Sequence, residues 1–360
     1  MELQDKINPE SRRGRAASSN RTNRFERFEK FAVSDGWDLE DDLQVVRTQV
    51  RDEPARTILA RNTSPDLSFD RSINPYRGCE HGCIYCFARP THAYLGLSPG
   101  LDFETQLIAK PNAAALLERE LSRKGYSPDV IAIGTNTDAY QPIERDRRIM
   151  RDVLEVLSRF RHPVSIVTKG GLVERDIDIL SEMAACGLAQ VAVSITTLDA
   201  DLARKMEPRV PSPKRRLKTM ERLASAGIPV RMMTSPIIPG LTCHEIEALL
   251  EAGAAAGAKA ATSLVLRLPL EVSELFRTWL AENVPDRAAR VMNRVRDMHG
   301  GQDYVADFGT RATGTGIYSK LLRDRFQRAR KAVGLVKDLP VLRRDLFQVP
   351  VKPDDQLNLF

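Results

Sequence analysis

Between residues 71 and 266, short β-branched or apolar runs alternate with helical patterns, and this alternation restricts the fold more than any other feature. The predicted strands are 71–76, 130–135, 164–168, 190–195, 230–234 and 261–266. The predicted helices are 111–124, 144–160, 172–186, 213–226 and 244–256, and several end at a glycine that suits a left-handed cap, as at Gly125, Gly187, Gly227 and Gly257. Because strands that alternate with helices pair in parallel, the pattern predicts an α/β fold of six βα units.

Three of the five cysteines stand close together in the spacing Cys-x3-Cys-x2-Cys, namely Cys79, Cys83 and Cys86. Three thiolates suit three irons of a [4Fe-4S] cluster, and with no fourth cysteine nearby one iron would stay open for another ligand. A zinc site is the alternative, since similar spacings bind zinc and His81 lies inside the loop. Structural zinc sites usually come as two ligand pairs, whereas Cys186 and Cys243 are isolated, so the spacing favours the cluster.

The cysteines together with Tyr85 resemble the Cys-x3-Cys-x-aromatic-Cys signature of the radical S-adenosylmethionine (SAM) superfamily. The resemblance implies a partial (β/α)6 TIM-like barrel over roughly residues 70 to 270, with the [4Fe-4S] cluster on the three cysteines and SAM at the open iron. It also implies reductive cleavage of SAM to a 5′-deoxyadenosyl radical that abstracts a substrate hydrogen. An electron donor such as flavodoxin or ferredoxin would then be a partner.

Polar residues follow nearly every predicted strand, where a barrel places its active face. Small and hydroxyl residues would let SAM approach the backbone, and cationic residues would pair with its carboxylate or with a substrate phosphate. Each of these residues also has an ordinary structural interpretation, as a turn, helix-start or surface residue. The predicted cofactor-binding residues are Cys79, Cys83, Cys86, Tyr85, Gly134, Thr137, Asp138, Lys169, Ser194 and Arg209.

The segments Gly-Thr-Asn-Thr-Asp at 134–138, Val-Thr-Lys at 167–169 and Val-Ser-Ile at 193–195 resemble the spore-photoproduct-lyase-like branch, whose members are often labelled DNA repair photolyases. In that lyase a Lys and a Ser at the matching places bind SAM, which implies this role for Lys169 and Ser194. The lyase returns hydrogen through a Cys and a Tyr, where this chain has Thr135 and Phe87. The resemblance therefore implies the fold and the SAM site, and it argues against spore photoproduct repair.

The two ends of the chain differ from the barrel in composition. Residues 1–45 are rich in arginine without apolar periodicity and predict a disordered basic tail, followed by the barrel at 46–270 and a helical C-terminal extension at 271–338. Residues 339–360 predict a flexible tail. It ends in Gln356-Leu357-Asn358-Leu359-Phe360, which resembles the peptide by which bacterial DNA polymerases and repair proteins dock on the sliding clamp. The clamp-binding residues would be Gln356, Leu357, Leu359 and Phe360, unless these side chains fold back on their own domain.

Composition limits the remaining choices. There is no apolar run near 18 residues and no apolar segment behind the charged amino terminus, so we expect a cytoplasmic protein. An odd number of cysteines does not make a disulfide framework, and the net charge of +6 gives mild support to a polyanionic partner such as DNA. Two alternatives to a DNA-acting enzyme stay open: radical SAM modification of RNA, protein or a metabolite, and a non-catalytic zinc-bearing nucleic-acid-binding protein.

Overall fold

The computed structural model describes residues 7–28 and 45–351. The strands are β1 (Gln49–Asp52), β2 (Leu59–Arg61), β3 (Arg71–Ile73), β4 (Tyr76–Arg77), β5 (Gln106–Ala109), β6 (Ile131–Ile133), β7 (Val164–Thr168), β8 (Ala189–Ser194), β9 (Val230–Ile237) and β10 (Ala260–Val265). The α-helices are α1 (Asp102–Thr105), α2 (Ala113–Leu121), α3 (Glu144–Arg147), α4 (Ile149–Arg159), α5 (Ile177–Ala185), α6 (Ala200–Met206), α7 (Pro213–Ser225), α8 (Ile246–Ala255), α9 (Glu271–Asn283), α10 (Pro285–Met298) and α11 (Gly316–Ala332). Short 3-10 helices span Arg89–Leu95, Gly171–Asp176 and Cys243–Glu245.

A seven-stranded sheet forms the centre of the molecule, in the order β10-β9-β8-β7-β6-β3-β2. Six neighbouring strands of this sheet pair in parallel, namely β3, β6, β7, β8, β9 and β10. In the β7–β8 pair, for example, Val164 lies opposite Ala189. Strand β2 pairs with β3 in antiparallel at one edge. A second sheet has the order β1-β5-β4. The six parallel strands are the six predicted from the sequence, so the α/β fold class is confirmed.

The core lies between the parallel strands and the helices that follow them. Every residue of β6 is buried, as a parallel strand covered on both faces requires. Helix α8 packs tightly on β9 because it carries Gly253 at the contact: a Cβ there would lie 2.1 Å from Met232 Sδ. The helices thus cover the parallel strands, whose C-terminal ends form the active face of the barrel.

Two predicted helices are interrupted. The predicted helix 144–160 is divided into α3 and α4 at Arg148, whose φ is +53°. Buried Glu144 accepts a hydrogen bond from the Met150 amide at 3.0 Å, so its side chain satisfies the first turn of α4 across the break. The predicted helix 172–186 begins as a 3-10 helix before it continues as α5. The four expected glycine caps do have positive φ, between 71° and 87°.

The C-terminal extension is helical, as expected, and consists of α9, α10 and α11. Beyond α11 the chain returns to the sheet, where Val336 pairs with Ala260 at the edge of β10. Residues 339–351 differ from the expected flexible tail, because Phe347 packs against Phe160 and Tyr126. The four predicted clamp-binding residues lie outside the described part of the chain. Of the described helices, none has the length and apolar character needed to cross a membrane.

Candidate active site around the cysteine loop

The cysteine loop, residues 78–88, follows β4 and leads into the 3-10 helix Arg89–Leu95. Cys79 and Cys83 are buried and Cys86 is half-buried. Successive tight turns shape the loop, with the Cys86 amide donating to the Cys83 carbonyl at 3.1 Å. Gly82 has φ +65°, and a Cβ there would lie 2.7 Å from the Glu104 carboxylate, so only glycine fits. The three thiols are therefore presented by a backbone that the rest of the site holds closely.

A buried ion pair between Arg89 and Glu104 supports the cysteine loop. Arg89 and Glu104 are both fully buried, and their side chains meet at 2.6 Å. The Arg89 guanidinium also donates to the carbonyls of Gly82 at 2.9 Å and Cys83 at 3.0 Å, and to those of Pro99 and Gly100. A charged side chain three residues after the predicted signature thus acts as the internal anchor of the loop. Nothing in the local sequence distinguishes Arg89 from a surface arginine.

Residues 7–28, the described part of the N-terminal segment, cover this anchor, whereas composition predicted a disordered tail over residues 1–45. The amides of Ala16 and Ala17 each donate to the Glu104 carboxylate at 3.0 Å, and both residues are buried. Arg15 donates to the Glu104 carbonyl at 2.9 Å and to Thr48 Oγ1 at 2.7 Å. The segment is ordered because its backbone satisfies a buried carboxylate that has no access to water.

Glu80, next to the first cysteine, links the loop to the active face. Its amide donates to Gln141 Oε1 at 2.7 Å, and its carboxylate accepts from Thr48 at 2.6 Å and from Arg209 at 2.8 Å. Arg209 was predicted to reach the SAM carboxylate or a substrate phosphate. The structure places it beside the cysteine loop with its charge paired to Glu80.

Asp138 contacts both the cysteine loop and the C-terminal end of β7. Its carboxylate accepts from Thr168 Oγ1 and from the Lys169 amide, both at 2.7 Å, and lies 3.3 Å from His81 Nδ1. Burial acts to raise the pKa of Asp138, but the neighbouring His81 and the hydrogen bonds from Lys169 and Thr168 outweigh it and lower the pKa to about 2. The carboxylate is therefore ionised and positions its neighbours.

Two more predicted residues act through the backbone. Thr137 is buried and donates its hydroxyl to the Tyr76 carbonyl at 3.0 Å. Gly134 has φ +84°, and a Cβ there would lie 1.9 Å from the Val167 carbonyl oxygen. The glycine thus allows the end of β6 to approach β7.

A second buried network lies beside Tyr85. The Tyr85 hydroxyl donates to Glu207, which also accepts from Thr196 at 2.9 Å and pairs with buried Arg216 at 2.7 Å. Burial acts to raise the pKa of Glu207, but the charges of Arg216 and Lys169 lower it overall. Lys169 Nζ lies 5.8 Å from the Tyr85 ring centroid. Its cationic head is thus directed at the cysteine loop.

Ser194 belongs to the same side of the site. Its hydroxyl donates to the Ser235 carbonyl at 3.0 Å, and its own carbonyl accepts from Arg216 at 2.8 Å. Of the predicted residues, Tyr85 belongs to the cysteine loop, and Asp138, Lys169 and Arg209 each lie against a residue of it. Gly134, Thr137 and Ser194 shape the adjoining strand ends. The sequence did not indicate Glu104, Arg89, Glu207 or Arg216, because charged residues are expected at the surface unless a partner is known.

The donor set fits a cluster better than a single metal ion. Within residues 7–28 and 45–351, no three His, Cys, Asp or Glu side chains converge as one ion would require. A zinc ion needs four ligands at about 2.0–2.3 Å, whereas cluster thiolates each bind a different iron. His81, the expected fourth zinc ligand, instead faces Asp138. Burial raises the pKa of the Cys79 and Cys83 thiols, and bound iron would favour the thiolate form.

Comparisons with known proteins agree with this geometry. The radical SAM superfamily model matches residues 73–253, half of the chain. An uncharacterized protein of Mycobacterium tuberculosis is 40% identical over 226 residues, which cover 62% of this chain and 66% of that protein. An uncharacterized protein of Methanocaldococcus jannaschii is 28% identical over 225 residues, 62% of this chain and 79% of that one.

Among solved structures, spore photoproduct lyase complexed with dinucleoside spore photoproduct superposes with a TM-score of 0.57 at 16% identity. The superposition covers 80% of this chain and 81% of the lyase. A mutant of that lyase with bound AdoMet and dinucleoside spore photoproduct gives a TM-score of 0.58. At this identity the likeness is one of fold.

The chain belongs to the radical SAM superfamily. Members of this superfamily use a [4Fe-4S] cluster and SAM, the cofactors predicted from the cysteine motif. The matched region spans 66% of the length of the mycobacterial relative, so the match does not extend over that whole protein.

Proposed function

We propose that this protein uses radical SAM chemistry on DNA, in the repair or modification of a damaged or altered nucleotide. The observation that carries the proposal is the likeness in fold, over 80% of the chain, to a lyase whose structure holds a dinucleoside lesion. The sequence features that support it are the net charge of +6 and the clamp-like C-terminal peptide. The compartment in which this takes place would be the cytoplasm.

The roles of the residues follow from their positions. Cys79, Cys83 and Cys86 would hold the cluster, which with SAM supplies a 5′-deoxyadenosyl radical for hydrogen abstraction. Lys169, whose ammonium lies near the Tyr85 ring, would pair with the SAM carboxylate. Ser194 and Thr137 donate to backbone carbonyls at the strand ends, so they would hold the walls against which SAM binds.

Arg209, Gly134 and Asp138 complete the proposed SAM site. Arg209 pairs with Glu80, so its contribution would be to hold the loop as well as to add positive charge near the SAM carboxylate. Gly134 keeps the end of β6 free of a side chain, and Asp138 orients the Lys169 backbone.

The reaction would differ from that of spore photoproduct lyase. Thr135 and Phe87 stand where the lyase has the Cys and Tyr that return hydrogen, and neither a Thr hydroxyl nor a Phe ring has the weak S–H or O–H bond that this relay requires. We therefore propose another DNA lesion or modified base as the substrate. An electron donor such as flavodoxin or ferredoxin would reduce the cluster.

The decisive experiment is anaerobic SAM cleavage by the reduced, reconstituted protein, with 5′-deoxyadenosine measured by chromatography. We expect cleavage to be stimulated by DNA that carries the right lesion and not by undamaged DNA, RNA or small metabolites. Stimulation by an RNA or a metabolite alone would contradict the proposal of a DNA substrate. Efficient conversion of spore photoproduct to two thymines would contradict the argument from Thr135 and Phe87.

A further inference from the structure

Arg267 lies two residues beyond the end of β10 and beside the cysteine loop. Its guanidinium carbon is 4.8 Å from the ring centroid of Phe87 and 5.9 Å from that of Tyr304. It also donates to the Tyr304 hydroxyl at 3.3 Å. Because Phe87 directly follows Cys86, this Phe87–Arg267–Tyr304 stack borders the place where SAM would be cleaved.

The charge of Arg267 is not balanced within the described chain. No carboxylate of residues 7–28 or 45–351 forms an ion pair with it, whereas nearby Arg24 and Arg209 pair with Glu271 and Glu80. Arg267 Nε is buried and has no hydrogen-bond acceptor in the same residues. A desolvated guanidinium donor without an acceptor is costly, and its planar fork suits a phosphate oxygen pair.

The ring of Phe87 offers a second kind of contact. Phe87 is 41% exposed, although its neighbours in the cysteine loop are largely buried. Exposed aromatic rings beside arginine are the usual platform for unpaired nucleic-acid bases, because every base has a π-face that stacks. Phosphate on Arg267 and a base on Phe87 would together hold one nucleotide.

A similar stack lies on the adjoining surface. Arg24 lies 4.5 Å from the Phe25 ring centroid and 5.2 Å from that of Tyr94, and both rings are mostly exposed. Tyr94 belongs to the 3-10 helix that continues the cysteine loop, and this helix packs against α9, which begins four residues after Arg267. The two stacks are therefore connected through this 3-10 helix and α9, so one strand could contact both in succession.

We propose that Phe87, Arg267 and Tyr304 form the subsite for one phosphate and one unstacked base of a DNA strand, and that the Phe25–Arg24–Tyr94 stack contacts the strand further along. The inference rests on the proposed function and adds how the substrate is held. The target nucleotide would have to leave the duplex or lie in single-stranded DNA, because a paired base cannot stack on a protein ring.

The test uses the full-length, cluster-reconstituted protein with SAM and a labelled single-stranded DNA of about twelve nucleotides, followed by fluorescence anisotropy. We expect Arg267→Ala to weaken binding about tenfold to hundredfold and to reduce the slope of log K against log salt by about 0.7. Arg267→Lys should keep the slope and lose affinity, because the charge stays while the fork is lost. Phe87→Ala should weaken DNA binding without changing the salt slope. Phe87→Tyr keeps an aromatic ring and should bind DNA as well as the wild type does.

Arg294→Ala is the matched control. Arg294 also lies 4.8 Å from a ring centroid, that of Tyr318, but it pairs with Asp297. Its replacement should leave DNA binding unchanged. Cluster absorbance and SAM affinity, measured for every variant, should equal those of the wild type.

The outcomes separate this inference from the function on which it rests. If the wild type binds DNA and both Arg267→Ala and Phe87→Ala bind it equally well, the subsite is refuted while a DNA substrate stands. If the wild type binds no DNA, both are refuted. Equal losses in Arg267→Ala and Arg294→Ala would show a general charge effect and would also overturn the subsite.

Discussion

Replacing Glu104 by Ala should destabilise the protein far more than replacing a carboxylate of an exposed ion pair. The change leaves the fully buried Arg89 guanidinium without its counter-charge and the amides of Ala16 and Ala17 without their acceptor. Removing one partner of a buried pair costs about 3–5 kcal/mol. With an unfolding entropy of about 2.1 cal/mol/K for each of the 360 residues, this corresponds to a fall in melting temperature of about 4–7 °C.

The matched control is Glu118→Ala. Glu118 pairs with Arg159 at 2.9 Å, but the two side chains are 40% and 53% exposed. A pair of this kind contributes about 0.2–1 kcal/mol, so its loss should lower the melting temperature by roughly 1 °C or less. Anaerobic differential scanning fluorimetry on both variants makes the comparison, with iron content as a second measurement. Equal shifts in the two variants would refute the argument that Glu104 anchors the cysteine loop and the N-terminal segment.

Two further predictions concern the cofactors, one concerns the sliding clamp and one concerns a buried histidine. Replacing any one cluster cysteine by Ala should abolish the broad absorption near 400 nm and 5′-deoxyadenosine formation, while exposed Cys186→Ala keeps both; full iron content in the former would contradict the ligand assignment. Lys169→Ala should weaken SAM binding by about 1.5–3 kcal/mol without cluster loss, and unchanged affinity would remove Lys169 from the site. A peptide of residues 350–360 should bind a bacterial sliding clamp with micromolar affinity and lose most of it when Leu359 and Phe360 become Ala; calorimetry without binding heat would count against the clamp as a partner. Burial lowers the pKa of His162 to about 4, below its unfolded value of about 6.5, so its contribution is complete above pH 6.5 and falls by about 3 kcal/mol as the pH drops toward 4. His162→Gln should lose part of this acid sensitivity in melting experiments, and parallel curves for variant and wild type would contradict the assignment.

Much of the fold could be predicted because its determinants are local. The strand Val164–Thr168 was predicted with its observed bounds, since a β-branched run between a proline and a glycine is a signal within a few residues. The division of the helix at Arg148 could not be predicted, because it depends on Glu144, whose side chain is held by Tyr76 and Arg175 from other elements.

In the candidate active site, too, some residues could be predicted from the sequence and others could not. The cysteine spacing favoured a [4Fe-4S] cluster over zinc, and its resemblance to the radical SAM signature implied SAM, because ligand number and spacing lie within eight residues of sequence. The buried supports of the loop did not follow from the sequence, since Glu207 and Arg216 become partners only when the chain folds back around Tyr85.

What the sequence alone determined is therefore the parallel α/β framework and the three clustered thiols that are predicted to hold a [4Fe-4S] cluster. What only the tertiary structure decided is which charged residues are buried. Ala17 and Glu104 are 87 positions apart, and composition predicts disorder for the segment that contains the former. The segment is ordered because a buried carboxylate needs its amides as donors, and that requirement exists only once Arg89 and Glu104 have been enclosed beneath the cysteine loop.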